Sequence, residues 1–411
     1  MHGDSVFSPF DDTSKGPGDS TDWLTGLRQG QVGVYSGANY ARSNHYLVRV
    51  TFGGSSTSRR EFYLLMDTGS GFTWIQCEPC VECQPQIDMP IFVPNTSSTL
   101  QYVNILDVHC VDQLGDRYTS GGAPPFTLCP PYRRGYTGGA VISGQLVRDT
   151  LTLSSGDSLL SMPFGCTTAF QNAGTGGGFA GLLGLSRGPL GFPTQLQRRG
   201  YSESFSYCLP GVHTSDISTL TFNGPIPPDT AFTPLLTNPP IYKYSPYYYV
   251  ELTGISVGGS LLPLREYVFD LNPDTGEGGF VIDSGAPITT LPRAAYVELR
   301  DAIRGAIFAS SETQPRVYSS GLMDTCFLVK IAIETFHSMV PSVTLHFTEG
   351  ADLEIPPQNL FIPRKHLQPQ VCLYIHHSVS SPSVIGSMAQ QRTRITFDPE
   401  NQRVGFASYD C

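Results

Sequence analysis

Charge is scarce in this chain: Asp, Glu, Lys and Arg together make up 15% of its 411 residues. Acids outnumber bases, giving a formal net charge of −10, the wrong sign for a nucleic-acid surface. No apolar run approaches the roughly 18 residues that a membrane-crossing helix needs, so no membrane span is expected. Several reactive constellations are missing as well. The nine histidines form no His-Glu-x-x-His, no Gly-x-Ser-x-Gly elbow occurs, and Gly176-Gly177-Gly178 lacks the Lys-Ser/Thr of a phosphate loop. No leader reads from the first residues, where Met1 runs into His2-Gly3-Asp4-Ser5.

What is abundant is Gly, Pro, Tyr, Phe, Ser and Thr, the composition of an all-β protein with many turns. The length suffices for two domains with full cores. One short stretch stands out within it. Leu64-Leu65-Met66 runs straight into Asp67-Thr68-Gly69-Ser70, which places an acid at the end of a buried strand. A charge there costs several kcal/mol unless it is hydrogen-bonded or has a task. Phe280-Val281-Ile282-Asp283-Ser284-Gly285-Ala286 repeats the same grammar. Each copy is followed about a hundred residues later by two apolar residues and a glycine, Leu182-Leu183-Gly184 and Val384-Ile385-Gly386. One Asp-Thr-Gly is an ordinary turn. Two copies with matching flanks and matching downstream partners divide the chain into similar halves and point to a site between two buried acids.

The ten cysteines are an even set, at 77, 80, 83, 110, 129, 166 and 208 in the first half and 326, 372 and 411 in the second. Both halves hold an odd number, so full pairing requires a bridge between them. Cys77-x-x-Cys80-x-x-Cys83 has metal-like spacing but lacks a plausible fourth ligand nearby, so disulfides are the better reading. Disulfides imply an oxidising compartment, extracellular or vacuolar.

In chain order, residues 1–42 are polar and aperiodic and read as disordered, as a pro-segment or as a frayed terminus. A first lobe spans 43–222, with Tyr46–Phe52 as a strand and a Cys-rich insertion at 77–129. Asn95-Thr96-Ser97 in that insertion is a glycosylation sequon. Tyr136–Leu153 reads as a hairpin turning at Thr137-Gly138-Gly139-Ala140, and Pro193–Arg199 as a short helix. Proline density marks 223–245 as a linker. The second lobe, 246–411, contains a helix opened by Pro292 whose stripe Tyr296, Leu299, Ile303 and Ile307 reads as packing. Its last strands run from Val384 to Phe397.

In these residues the chain resembles the pepsin-like aspartic proteases, and within them the plant nepenthesin-like branch. The resemblance covers roughly residues 44–411. It rests on Asp67-Thr68-Gly69-Ser70, Trp74, Tyr136, Gly181-Leu182-Leu183-Gly184-Leu185, Phe205-Ser206-Tyr207-Cys208-Leu209-Pro210 and Asp283-Ser284-Gly285. The ending Phe397-Asp398, Arg403-Val404-Gly405-Phe406-Ala407 and Cys411 adds to it. It implies a bilobal all-β fold with two similar barrel-like lobes and a cleft between them. The implied activity is endoproteolysis by an Asp67–Asp283 dyad that activates water, with peptide or protein substrates, no cofactor and no metal, in a monomer.

The resemblance also assigns supporting roles. Thr68 and Ser284 cross-bond beneath the dyad, Ser70 donates to Asp67, and Gly69 and Gly285 leave room for substrate. Tyr136 is the flap tyrosine and Trp74 the indole bonded to it. Cys326 pairs with Cys372 as in the family's second lobe, Cys208–Cys411 is the candidate bridge between halves, and the other six cysteines pair within the first lobe. Three positions depart from the family pattern: Ala286 and Pro287 stand where hydroxyl residues are usual, and the flap reads Tyr136-Thr137-Gly138-Gly139-Ala140. A binding protein on the same fold, like the plant xylanase inhibitors, is the alternative these departures keep open.

Overall fold

A computed structural model describes residues 30–36 and 45–408. Short internal stretches are outside that description: 55–58, 87–88, 116–123, 125–126, 137–138, 154, 172–177, 213, 215, 243–246, 311–316, 321–322, 365–369 and 379–381. The expected Cys208–Cys411 bridge and most of residues 1–42 therefore lie outside the described residues. Cys208 itself is disulfide-bonded.

Strands dominate, and their faces follow the alternation of the sequence. In Tyr46–Phe52 the buried positions include Tyr46, Val48, Val50 and Phe52, while Arg49 and Thr51 are less buried. This strand pairs antiparallel with Arg60–Asp67, which runs apolar into the core and delivers Asp67 at its end. Asp67 lies opposite Gly184 in a parallel pairing with Gly181–Gly184. The second half repeats the arrangement: Phe280–Asp283 pairs in parallel with Ser383–Gly386, and Asp283 faces Gly386. The apolar-apolar-Gly segments seen in the sequence are thus the neighbours of the two acid-bearing strands.

Two segments expected to be irregular are strands, and the last strands of the chain join the first half's sheet. Gly30–Ser36, inside the segment expected to be disordered, is a strand laid between Tyr46–Phe52 and Ile217–Phe222. Val32 and Val34 alternate within it, Val34 is fully buried, and its two neighbours satisfy its backbone. Ala231–Pro234, inside the proline-rich linker, is also a strand. It pairs with Arg403–Ser408, which pairs with Thr393–Asp398, which joins Phe205–Cys208 of the first half. The last strands of the chain therefore complete a 14-stranded sheet begun by the first half. Stacked Phe205 and Phe397, with ring centroids 4.7 Å apart, seal that junction.

The helix expected after Pro292 runs Arg293–Ser310 and buries Ala295, Tyr296, Leu299, Ile303 and Ile307. Phe192–Gln197 is the short helix near Pro193. Three disulfides tie the first half: Cys77–Cys166, Cys80–Cys83 and Cys110–Cys129. Cys326–Cys372 joins two neighbouring strands at directly opposed positions. No described helix is long and apolar enough to cross a membrane.

Candidate active site

Asp67 and Asp283 meet where the two halves join. Beneath them the loops interlock. The Thr68 amide donates to Ser284 Oγ at 3.1 Å, and the Ser284 amide donates to Thr68 Oγ1 at 2.9 Å. Each hydroxyl then donates across the junction, Thr68 Oγ1 to the Ile282 carbonyl at 3.0 Å and Ser284 Oγ to the Met66 carbonyl at 2.9 Å. Both side chains are fully buried, so every polar atom of this grip has its partner inside the protein. The grip fixes the relative position of the carboxyls.

Local donors orient each acid. Asp67 Oδ1 accepts the Gly69 amide at 2.8 Å, and Oδ2 accepts the Ser70 hydroxyl. Asp283 Oδ1 accepts the Gly285 amide at 2.8 Å and the Ala286 amide at 3.3 Å. The two glycines are required by space: a Cβ on Gly69 would stand 2.7 Å from Asp283 Oδ2, and one on Gly285 would press on Asp67 Oδ1.

Burial pushes both carboxyls above the usual carboxylate range. For Asp67 the negative charge of Asp283 adds to it, while Ser70 and the Gly69 amide oppose it. For Asp283 the bonds from Asp67 and from the Gly285, Ala286 and Gly69 amides oppose burial. The pair therefore holds a proton at a pH where two free carboxyls would both be charged, and titrates as a unit.

Ser70 has no counterpart at Ala286, whose backbone amide is its only donor to Asp283. Ala286→Thr restores a hydroxyl that favours the charged carboxylate. We expect both limbs of the kcat/KM pH profile to move toward acid; coincident profiles or an alkaline shift would refute that role for the missing hydroxyl.

Tyr132–Gly135 and Val141–Thr152 pair as the hairpin that carries Tyr136. The Tyr136 amide donates to the Ala140 carbonyl at 2.8 Å and the Gly139 amide to the Tyr136 carbonyl at 3.1 Å, closing the tip; Thr137 and Gly138 of the turn are outside the described residues. Trp74 Nε1 donates to the Tyr136 hydroxyl at 2.8 Å. Trp74 is buried and Tyr136 half-buried. The Tyr136 phenol is raised by burial and, to a lesser degree, by the Asp67 charge. Tyr136→Ala should lower kcat/KM about 10²-fold by losing substrate positioning at a cost of about 1 kcal/mol or less in stability. A loss of about 3–5 kcal/mol, seen as a large drop in Tm, would mark Tyr136 as core instead.

Several supporting residues were missed in the sequence. Thr73 Oγ1 accepts the Gly184 amide at 3.2 Å, and Thr289 Oγ1 accepts the Gly386 amide at 3.0 Å. Each Thr lies six positions after its Asp, so aligning the two copies a few residues further would have found the pair. Gln390 Nε2 donates to the Asp283 carbonyl at 3.2 Å, and Tyr207 donates to Gln390 Oε1 at 2.6 Å. No sequence signal joins these two, which are brought together by the sheet that crosses the halves.

Two acids delivered by two repeated strand–loop units and locked by reciprocal hydroxyl bonds have the arrangement expected from the aspartic-protease resemblance. Comparisons with known proteins agree. Family descriptions "Xylanase inhibitor N-terminal" and "Xylanase inhibitor C-terminal" match residues 46–223 and 247–408. Aspartyl protease family protein 2 of Arabidopsis thaliana is 36% identical over 96% of this chain and 74% of its own. Aspartic proteinase nepenthesin-1 of Nepenthes gracilis is 34% identical over 94% of this chain and 83% of its own. A solved structure titled "Crystal structure of edgp" superposes with a TM-score of 0.72 at 21% identity, covering 93% of this chain and 95% of that one, and shows the shared fold. The chain belongs to the pepsin-like aspartic protease family, with plant aspartyl proteases among its relatives.

Proposed function

We propose that the protein is an aspartic endopeptidase. The observation that carries the reading is the support of Asp67 and Asp283 by the interlocked Thr68 and Ser284, with glycines where any side chain would strike the carboxyls. In this mechanism the charged carboxyl of the pair takes a proton from a water as its oxygen attacks the scissile carbonyl carbon. The protonated carboxyl supplies its proton to the carbonyl oxygen. The neutral diol then collapses: the carboxyl now protonated gives its proton to the leaving nitrogen as the C–N bond breaks, the carboxylate takes a proton from a diol hydroxyl, and amine and carboxylic acid leave the pair singly protonated as at the start. Raised, coupled pKa values let one pair serve as base and acid. Pepsin, a relative, is the established instance of such coupling between two carboxyls.

The substrate reading follows from the family: an extended peptide or protein segment lying under the Tyr136 hairpin. The disulfides support a secretory-pathway location, extracellular or vacuolar. Asn95 is exposed on the turn Pro94–Thr96 and is proposed as a glycosylation site.

A second reading, a binding protein that has lost hydrolysis, is favoured by Ala286 and Pro287 in the loop that carries Asp283. Incubation with casein at acid pH, with and without pepstatin, separates the two. Pepstatin-sensitive cleavage supports the enzyme. Tight binding to glycosidases with no cleavage supports the inhibitor and rejects the enzyme.

A further inference from the structure

A second cluster of chemistry lies in the other half of the fold. Asp324 on the strand Met323–Leu328 faces His376 and His377 on the strand Ile375–His377. One ligand atom from each of the three lies within 4.8 Å of the others. All three are partly exposed, so the site is open to an entering ion. No metal motif is legible in the sequence because the donors come from strands about fifty residues apart.

The surroundings orient the donors as the partners of a metal site do. Tyr296, from the first turn of the helix Arg293–Ser310, donates its hydroxyl to Asp324 Oδ1. Thr325 Oγ1 donates to the same oxygen at 2.8 Å. Both bonds fall on Oδ1 and leave Oδ2 to a ligand. His376 Nδ1 stands 3.0 Å from the His377 carbonyl. A carbonyl only accepts, so Nδ1 carries the hydrogen and the neutral ring keeps its lone pair on Nε2. The two imidazoles lie 4.2 Å apart, and Tyr296 packs on both at 5.5 and 5.9 Å. Tyr296, expected from the sequence to serve packing alone, thus also holds the carboxylate. Hydrogen bonds of this kind fix the tautomer and direction of metal ligands.

We propose that Asp324, His376 and His377 bind a divalent transition-metal ion of the zinc class. Two imidazoles and one carboxylate suit Zn²⁺, with water completing the shell, whereas Mg²⁺ and Ca²⁺ select all-oxygen sets. The guanidinium groups of Arg293 and Arg300 also act on this cluster and temper its affinity. The ion fastens two strands to each other. One of them, Ile375–His377, pairs in parallel with Thr289–Leu291, with Thr290 opposite His376. That strand follows directly from the Asp283 loop, so the ion steadies the base of the site without touching the dyad.

The test is calorimetric titration of the tag-free, chelator-treated full chain with zinc sulfate near pH 7, paired with melting curves. Wild type is expected to bind one zinc ion per chain and to gain Tm with added zinc by mass action, with no such response to magnesium. Asp324→Asn and His376→Ala should each bind zinc at least about 10-fold more weakly, and Tyr296→Phe should weaken it through loss of the orienting bond. His346→Ala, on a different sheet, should bind as wild type. Melting in chelator shows which variants are folded, and the two ligand variants are read independently. Wild type without a one-to-one phase, or folded ligand variants that bind like wild type, would overturn the site.

Discussion

Asp67→Asn and Asp283→Asn should each lower peptide cleavage by at least about 10⁴-fold, since each removes a group that serves in both proton transfers. Asn matches Asp in shape and keeps acceptor capacity for the Gly69 and Gly285 amides, so the grip beneath should persist. Stability should move the other way. The folded acids have raised pKa values, because burial opposes ionisation of both and the charge of Asp283 adds to it at Asp67. Such a carboxyl binds its proton more tightly in the folded state than in the unfolded one. Folding stability therefore falls as pH rises through the unfolded carboxyl value near 4 toward the folded one. A neutral Asn escapes that loss, so both variants should melt no lower than wild type at acid pH and higher near neutrality. Rates and melting curves for both decide the matter. Substantial cleavage by either folded variant would place the chemistry elsewhere.

The largest stability effect is expected at the bridge of the second half. Cys326 and Cys372 are 46 residues apart and both fully buried. Removing the cross-link frees a loop of that length in the unfolded chain, worth about 4 kcal/mol in the chain-entropy description. The double variant Cys326→Ala, Cys372→Ala should lose roughly that much, a drop in Tm of about 5 °C for a chain of this length. Equilibrium denaturant unfolding checks it. A loss below about 1 kcal/mol would show that the opposed strands hold register without the bond.

Much of this site is legible before the fold is seen, because its determinants are local. Asp67-Thr68-Gly69 and Asp283-Ser284-Gly285 each carry a buried strand, an acid, a hydroxyl and a glycine in consecutive positions, so the chemistry is written in one short run. Trp74 and Tyr136 are legible through family spacing, and the helix Arg293–Ser310 through its apolar period. The rest depends on pairing across long separations. Gly30–Ser36 carries only a short alternation, Val32 and Val34, inside a polar, Gly-rich stretch; pairing with Tyr46–Phe52 and Ile217–Phe222 makes it a strand. Arg403–Ser408 looks like any final strand, yet its bonds run to Ala231–Pro234 in the stretch expected to be linker. The cluster of Asp324, His376 and His377 has no spacing to detect, since the helix and two strands that build it meet only after folding.

The most direct measurement of hydrolysis by the dyad is the pH dependence of kcat/KM for one unstructured peptide, from about pH 2 to 7, a range bracketing the ordinary carboxylate value near 4. A dyad that works with one proton gives a bell, falling at low pH when both acids are protonated and at high pH when both are charged. Because burial and mutual repulsion raise the pair, the upper limb should lie above that ordinary value. A bell of this form, abolished by pepstatin, is the expected result. A profile that rises steadily to neutrality, or cleavage that pepstatin leaves untouched, would contradict hydrolysis by Asp67 and Asp283.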